Sequence, residues 1–337
     1  MVLSKIDGSS HSSLTLKEAK RLSSPFASLP KRVGVAVVAI PAMTWLAYLG
    51  GYYFLFLVAA ISSLALHEFY RLAEGKGVFP QKTVGIIFGL LINVAFIFDR
   101  FSLDILSFLQ RYGRHPSMLS PHQFLLCSVL LFLLVVSSVE LFRRKGSPIQ
   151  NAATTVLGVL FVSLFLGTLI QTRELFPFGF PAGRFFPHAL PDESELAQIN
   201  RWGGFTIISL FATIWICDTA AYFGGLAIGK HKLFERVSPN KTWEGAVFGF
   251  VFSVIAMVVA RSLFLGYLSL EQGIIIGILI GVFGQLGDLV ESRFKRDAGV
   301  KDSSTIIPGH GGVFDRFDSL IFVSPIVYLY IDFVVLS

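Results

Sequence analysis

Residues 284–322 read GQLGDLVESRFKRDAGVKDSSTIIPGHGGVFDRFDSLIF and interleave carboxylates, basic side chains and glycines just before the last apolar run. On a helix, Asp288, Glu291 and Ser292 fall at i, i+3 and i+4 on one face, with Lys295 one turn beyond Glu291. Lys295, Arg296, Lys301 and Asp302 come next, then a glycine turn with His310, Gly311 and Gly312. Asp315 and Asp318 close the stretch at i, i+3, with Arg316 between them. Two carboxylate pairs thus flank one basic, glycine-containing loop, an arrangement suited to phosphoryl or nucleotidyl transfer. Carboxylate oxygens hold Mg²⁺, Lys and Arg neutralise charge on the transferred phosphorus and leaving group, and glycines let backbone N–H groups close on phosphate oxygens. A solvated loop with ordinary salt bridges is the plainer reading. It does not account for charges of mixed sign, spaced by glycine, beside a membrane run.

Two shorter segments have related character. In ATIWICDTAAYFGGLAIGKHK (212–232), Asp218 and Thr219 interrupt an apolar run that ends in glycines and lysines. A carboxylate at membrane depth costs a few kcal/mol even on lenient scales, so Asp218 needs a partner or a polar cavity. In SPNKTWEGAVFG (238–249), Ser238 or Asn240 can cap a helix beginning near Lys241, with Glu244 in its first turn. Lys241 is unfavourable at a helix N-terminus unless an anion binds there, which makes this a phosphate-site candidate. A helix-packing face and a plain capped helix are the structural alternatives for these two segments. The chain carries no Walker A loop, zinc-type His spacing or GxSxG elbow. A lone His310 in a glycine turn ranks higher as a phosphate contact or structural hydrogen-bonder than as a general base.

The run SRFKRDAGVKDSSTIIPGHGGVFDRFD (292–318) resembles, without a gap, the signature of the phosphatidate cytidylyltransferases, also called CDP-diacylglycerol synthases. DTAAYFGG (218–225) and SPNKTWEG (238–245) are similar to two further blocks of that family, with Asn240 standing where the family often has Lys. The resemblance covers roughly 216–322, and the N-terminal spans match in hydropathy alone. It implies attack of a phosphatidic acid phosphate oxygen on the α-phosphorus of CTP, giving CDP-diacylglycerol and pyrophosphate. It implies Mg²⁺ and allows a K⁺ ion beside it, with Asp288 and Asp315 as metal ligands and Asp218 and Asp318 next nearest. Lys241, Lys295, Arg296, Lys301 and Arg316 would hold the triphosphate and the lipid phosphate, with Ser292, Gly311 and Gly312 lining the binding site. Lys301, Asp302, His310, Arg316 and Asp318 are the candidate catalytic set. No strong base is needed, because a phosphate monoester is largely dianionic at neutral pH. Dimerisation is common in that family, and the Gly-rich helix faces would permit a homodimer.

The elements that must position these residues are membrane spans. Of 337 residues 53% are apolar and 15% charged, and the mean hydropathy is +0.68. This predicts an all-α, polytopic integral membrane protein. Nine apolar runs stand out, approximately 33–49, 52–69, 83–98, 123–142, 152–171, 204–228, 246–265, 272–291 and 319–336. The first two, separated only by LGGYY, form a tight hairpin in this reading. With the N-terminus inside, 21 of the 28 Lys and Arg residues fall in cytoplasmic segments, as the positive-inside rule expects. The site then faces the cytoplasm, where CTP arrives from water and an acyl-chain substrate from the inner leaflet; a bacterial inner membrane is the expected location.

Three regions follow: a polar cytoplasmic tail over 1–31, N-terminal transmembrane helices over 32–200 with two outside loops, and a catalytic transmembrane region over 201–337. The second outside loop, 172–203, reads as an interfacial excursion without chemistry. Cys127 and Cys217 lie inside apolar runs and read as small core residues. The net charge of +6 gathers in short segments between spans, which favours anionic headgroups and substrates over nucleic acid. Two alternatives remain: another CTP-using lipid enzyme, such as a different lipid cytidylyltransferase or a polyprenol kinase, and a transporter whose Asp218 and Asp288 bind a cation. The second leaves the basic glycine loop without a role.

Overall fold

The computed structural model describes residues 29–186, 190–307 and 311–337. Most of the polar tail and His310 therefore lie outside the described residues. All nine apolar runs are helical. In chain order the helices are α1 (Leu29–Leu49), α2 (Gly51–Glu74), α3 (Lys82–Ala95), α4 (Phe98–Gln110), α5 (Pro121–Phe142), α6 (Pro148–Phe178), α7 (Glu193–Ile228), α8 (Trp243–Phe264), α9 (Leu270–Asp297) and α10 (Phe314–Val335). Seven are each long and apolar enough to cross a membrane; α3 and α4, bent by 75° at their junction, make an eighth if taken together, and Val33–Leu49 is a shorter apolar helix. These are the helices of an integral membrane protein.

The α1–α2 hairpin turns at Gly50 and Gly51, whose φ values of 68° and 53° favour glycine. A Cβ at Gly50 would also lie 2.6 Å from the Arg173 guanidinium carbon. The connection between α6 and α7 is shorter than the apolar pattern alone suggests. α6 runs to Phe178 and α7 begins at Glu193, leaving little of 172–203 as an excursion. A capping box starts α7: Asp192 accepts from the Glu195 N–H, and the Glu195 side chain returns to the Asp192 N–H. At 36 residues and 1.5 Å per residue, α7 is about 54 Å long, well beyond a hydrocarbon core of ~30 Å.

Helix α9 continues unbroken to Asp297, so its carboxylates do share a face. Between α7 and α8 the chain forms a small antiparallel hairpin, β1 (Lys232–Phe234) and β2 (Ser238–Thr242), with Lys232 opposite Thr242. That hairpin changes how α8 starts. Ser238 and Asn240 are committed to the strand, and the cap is Thr242, whose Oγ1 accepts from the Gly245 N–H at 3.2 Å. Lys241 is therefore a strand residue rather than part of the first helical turn. Cys217 is buried as expected, whereas Cys127 is exposed on α5, which turns much of its apolar surface outward.

Close helix approach depends on small residues at the contacts. A Cβ at Gly245 would sit 2.6 Å from the Ala221 carbonyl of α7, and one at Gly287 of α9 would sit 2.6 Å from the Asp318 carbonyl of α10. A cluster of rings joins α2, α6, α9 and α10: Phe69 meets Phe294 at 5.6 Å and Phe314 at 5.9 Å, and Phe161 meets Phe322 at 5.5 Å between centroids. Edge-to-face packing of this kind adds to ordinary burial. It fixes α9 and the start of α10 relative to one another.

Candidate active site

A cavity of about 900 Å³ lies where α1, α7, the β hairpin, α9 and α10 converge. Part of its lining is apolar, with Val35, Ala36, Ala39 and Met43 of α1 and Trp215 and Leu226 of α7. The same cavity brings together the charged side chains of Asp218, Lys241, Asp288, Asp315, Arg316 and Asp318. Lys295, Asp302 and Gln285 also contribute. Residues from three separate sequence segments thus face one space, and that space is half hydrocarbon and half ionic.

Asp288 pairs with the Lys241 ammonium and accepts from Ser292 Oγ at 3.3 Å. One carboxylate oxygen from each of Asp288, Glu291 and Asp318 lies within 4.8 Å of the others. Glu291 is 1% exposed, and among the described residues neither of its carboxylate oxygens receives a well-directed hydrogen bond. Lys295 Nζ lies 2.7 Å from Glu291 Oε2 and 3.1 Å from Asp315 Oδ1. Carboxylate oxygens gathered in an all-oxygen group, with the buried pair on Glu291 lacking a directed hydrogen bond, are the donor set of a hard divalent cation. These three residues could hold a metal ion.

Asp315 has other partners. Its carboxylate accepts from the Ser303 N–H at 3.0 and 3.1 Å and from the Gly312 N–H at 2.8 Å, besides meeting Lys295. The Gly312 N–H is thereby engaged within the protein rather than pointing to an open phosphate position. Gly311 has φ 86°, and a Cβ there would meet Asp315 Oδ2 at 2.6 Å. A Cβ on Gly312 would overlap Ser303 Oγ and the Glu68 carboxylate. Both glycines accordingly let the loop fold tightly over Asp315.

The remaining candidates divide by location. Ser292 is buried behind Asp288, and Arg316 and Asp302 border the cavity. Arg296 points elsewhere, donating to the Val237 carbonyl at 3.3 Å and the Val300 carbonyl at 3.0 Å. It ties the β hairpin to the chain after α9. Lys301 is exposed and is outside the cavity wall.

Sequence reading did not single out Glu68, which is fully buried on α2 and contacts the 303–314 loop. Its signal was a lone acid in an apolar run, SSLALHEFY. Glu244, read from sequence only as a first-turn helix residue, accepts from the Lys230 and His231 N–H groups and meets the His231 ring at 2.6 Å. Glu244 closes the hairpin loop that carries Lys241.

Residues 30–334 match the model of the cytidylyltransferase family. The chain belongs to that family. A phosphatidate cytidylyltransferase of Synechocystis sp. is 30% identical over 308 residues, covering 89% of this chain and 96% of that protein. The phosphatidate cytidylyltransferase of Bacillus subtilis is 30% identical over 303 residues with the same coverage. One from Staphylococcus saprophyticus reaches 50% over 121 residues, 36% of this chain. Similarity to cytidylyltransferases therefore extends through the N-terminal helices, beyond the motif-bearing segments.

Proposed function

We propose that this cytidylyltransferase acts on CTP and phosphatidic acid, forming CDP-diacylglycerol and pyrophosphate. A phosphate oxygen of the lipid attacks the α-phosphorus of CTP, a new P–O bond forms, and the bond to the β-phosphate oxygen breaks to release pyrophosphate. The observation that carries this reading is the mixed lining of one cavity: apolar α1 and α7 side chains border the same space as Lys241, Asp288, Arg316 and Asp318. An amphiphilic lipid phosphate and a polyanionic nucleotide both fit such walls. The curated relatives named phosphatidate cytidylyltransferase support the same substrates.

Asp288, Glu291 and Asp318 are the residues that would hold Mg²⁺, and Asp218 borders the same cavity. Bound there, Mg²⁺ would offset charge on the phosphate oxygens. A K⁺ ion beside it is compatible with the carboxylate-rich wall. Lys241 and Arg316 face the cavity as cations and would position the triphosphate and the lipid phosphate. Asp315 and Lys295 hold one another and the loop, so their role in this reading is to fix Arg316 and Asp318 in place. Positioning and charge neutralisation then supply most of the rate, since the attacking phosphate needs no strong base.

The concentration of Lys and Arg in alternate loops supports an N-terminus and a site on the cytoplasmic face, in a bacterial inner membrane. The deciding experiment is incorporation of labelled CTP into lipid by membranes carrying wild-type protein or Asp288→Ala. The variant is expected to lose at least about 100-fold, the equivalent of about 2.7 kcal/mol of transition-state stabilisation. Equal incorporation by the two would overturn the assignment.

A further inference from the structure

Helix α10 begins without a cap of its own. Its N-cap position is Val313, which has no side chain able to accept a hydrogen bond. The missing acceptor comes from α2. Glu68 Oε1 accepts from the Val313 N–H at 3.1 Å and Ser304 Oγ at 2.5 Å, while Oε2 accepts from the Phe314 N–H at 2.7 Å and Ser303 Oγ at 2.9 Å. Two donors on each oxygen use the usual capacity of a carboxylate, and the residue is fully buried.

We propose that Glu68 is a positioning residue for cytidylyl transfer: it pins both ends of the 303–314 loop, so that Asp315, Arg316 and Asp318 enter α10 facing Asp288. This rests on the function proposed above. Both ends matter because Ser303 donates its backbone N–H to Asp315 and its hydroxyl to Glu68. The α2 carboxylate and the α10 carboxylate therefore share one clasp. Negative charge at the first N–H groups of α10 is also favoured by the helix dipole.

Glutamate is specified at this position by its two acceptor oxygens. A glutamine has one acceptor oxygen and an NH₂ group that would face donors. Serine hydroxyls can turn to accept from that NH₂, but a backbone N–H cannot, so Glu68→Gln leaves the Val313 or Phe314 N–H unpaired. Aspartate, shorter by one methylene, cannot reach both chain segments from the same backbone position.

The test is Glu68→Gln in the full-length protein, with hydrogen exchange and steady-state kinetics on the same preparation. Amides of residues 303–314 should exchange at least about tenfold faster, with α8 unchanged. The kcat should fall at least about 30-fold with a smaller rise in KM for CTP, because Arg316 shifts with the loop while Lys241 lies outside it and still meets the triphosphate. Uniformly faster exchange, or an unchanged kcat per folded molecule, would overturn the proposal. Ser303→Ala/Ser304→Ala removes two of the four donors and serves if Glu68→Gln does not fold. It should lower kcat severalfold in the wild type and add little beyond Glu68→Gln where both can be made; an unchanged kcat overturns the proposal. Wild-type protein that makes no CDP-lipid would refute the transfer reaction instead, while the exchange experiment still tests the clasp.

Discussion

Replacing Lys295 with methionine tests the electrostatic logic of the site most directly. Lys295 Nζ stands 2.7 Å from Glu291 and 3.1 Å from Asp315, and the three side chains are 12%, 1% and 4% exposed, respectively. Methionine keeps the volume of the stem and removes the charge. Asp315 would retain its backbone N–H donors, but Glu291 would lose its sole close cation among the described residues. Stranding one buried carboxylate in this way costs about 3–5 kcal/mol. The loss should appear as lowered resistance to SDS in mixed micelles, together with at least about a tenfold drop in CDP-lipid formation. Adding Glu291→Gln to Lys295→Met should restore about 2 kcal/mol, because the stranded charge is gone. Full additivity of the two changes, or wild-type stability in Lys295→Met, would refute the argument that these groups form one buried unit.

Other perturbations separate the parts of the site. Gly287→Ala places a methyl 2.6 Å from the Asp318 carbonyl; it should cost about 1–3 kcal/mol by forcing α9 and α10 apart, with a matching loss of turnover in the CTP assay. Thr242→Ala removes the α8 cap and should cost about 1 kcal/mol in the same SDS titration. Chelation by EDTA should abolish turnover, and titrating Mg²⁺ back should restore it. Ala39→Phe should fill the apolar side of the cavity and raise KM for phosphatidic acid more than KM for CTP, measured with each substrate varied in turn.

The apolar spans were legible because membrane residence imposes a long, uniform pattern on each helix. All nine runs became helices, and the Gly50–Gly51 hairpin fell where LGGYY marks a break. The loops were harder to read. Asp192 and Glu195 form a capping box inside what reads as an interfacial excursion, and Ser238–Thr242 pairs as a strand where a capped helix start was expected. Both misreadings come from local polar residues whose partners are chosen by the fold. Asp288 with Glu291, and Asp315 with Asp318, were visible because helical spacing aligns each pair, while the packing of α9 on α10 brings the pairs together. Glu68 was not visible: its donors lie 235 to 246 residues away, and no local periodicity encodes such a contact.

That separation has a consequence for how the protein is made. The chain emerges at about 5–20 residues per second, so the 235 residues between Glu68 and Ser303 take on the order of 10–50 s to synthesise. Throughout that interval α2 exists while every hydrogen-bond donor to its buried acid is still unmade. An unpaired acid in hydrocarbon is costly, so the nascent helix has reason to stay near water or the insertion machinery until its partner arrives. The clasp between Glu68 and the start of α10 is therefore among the last contacts that can form, and a chain arrested before Ser303 carries a second helix whose buried acid has no partner.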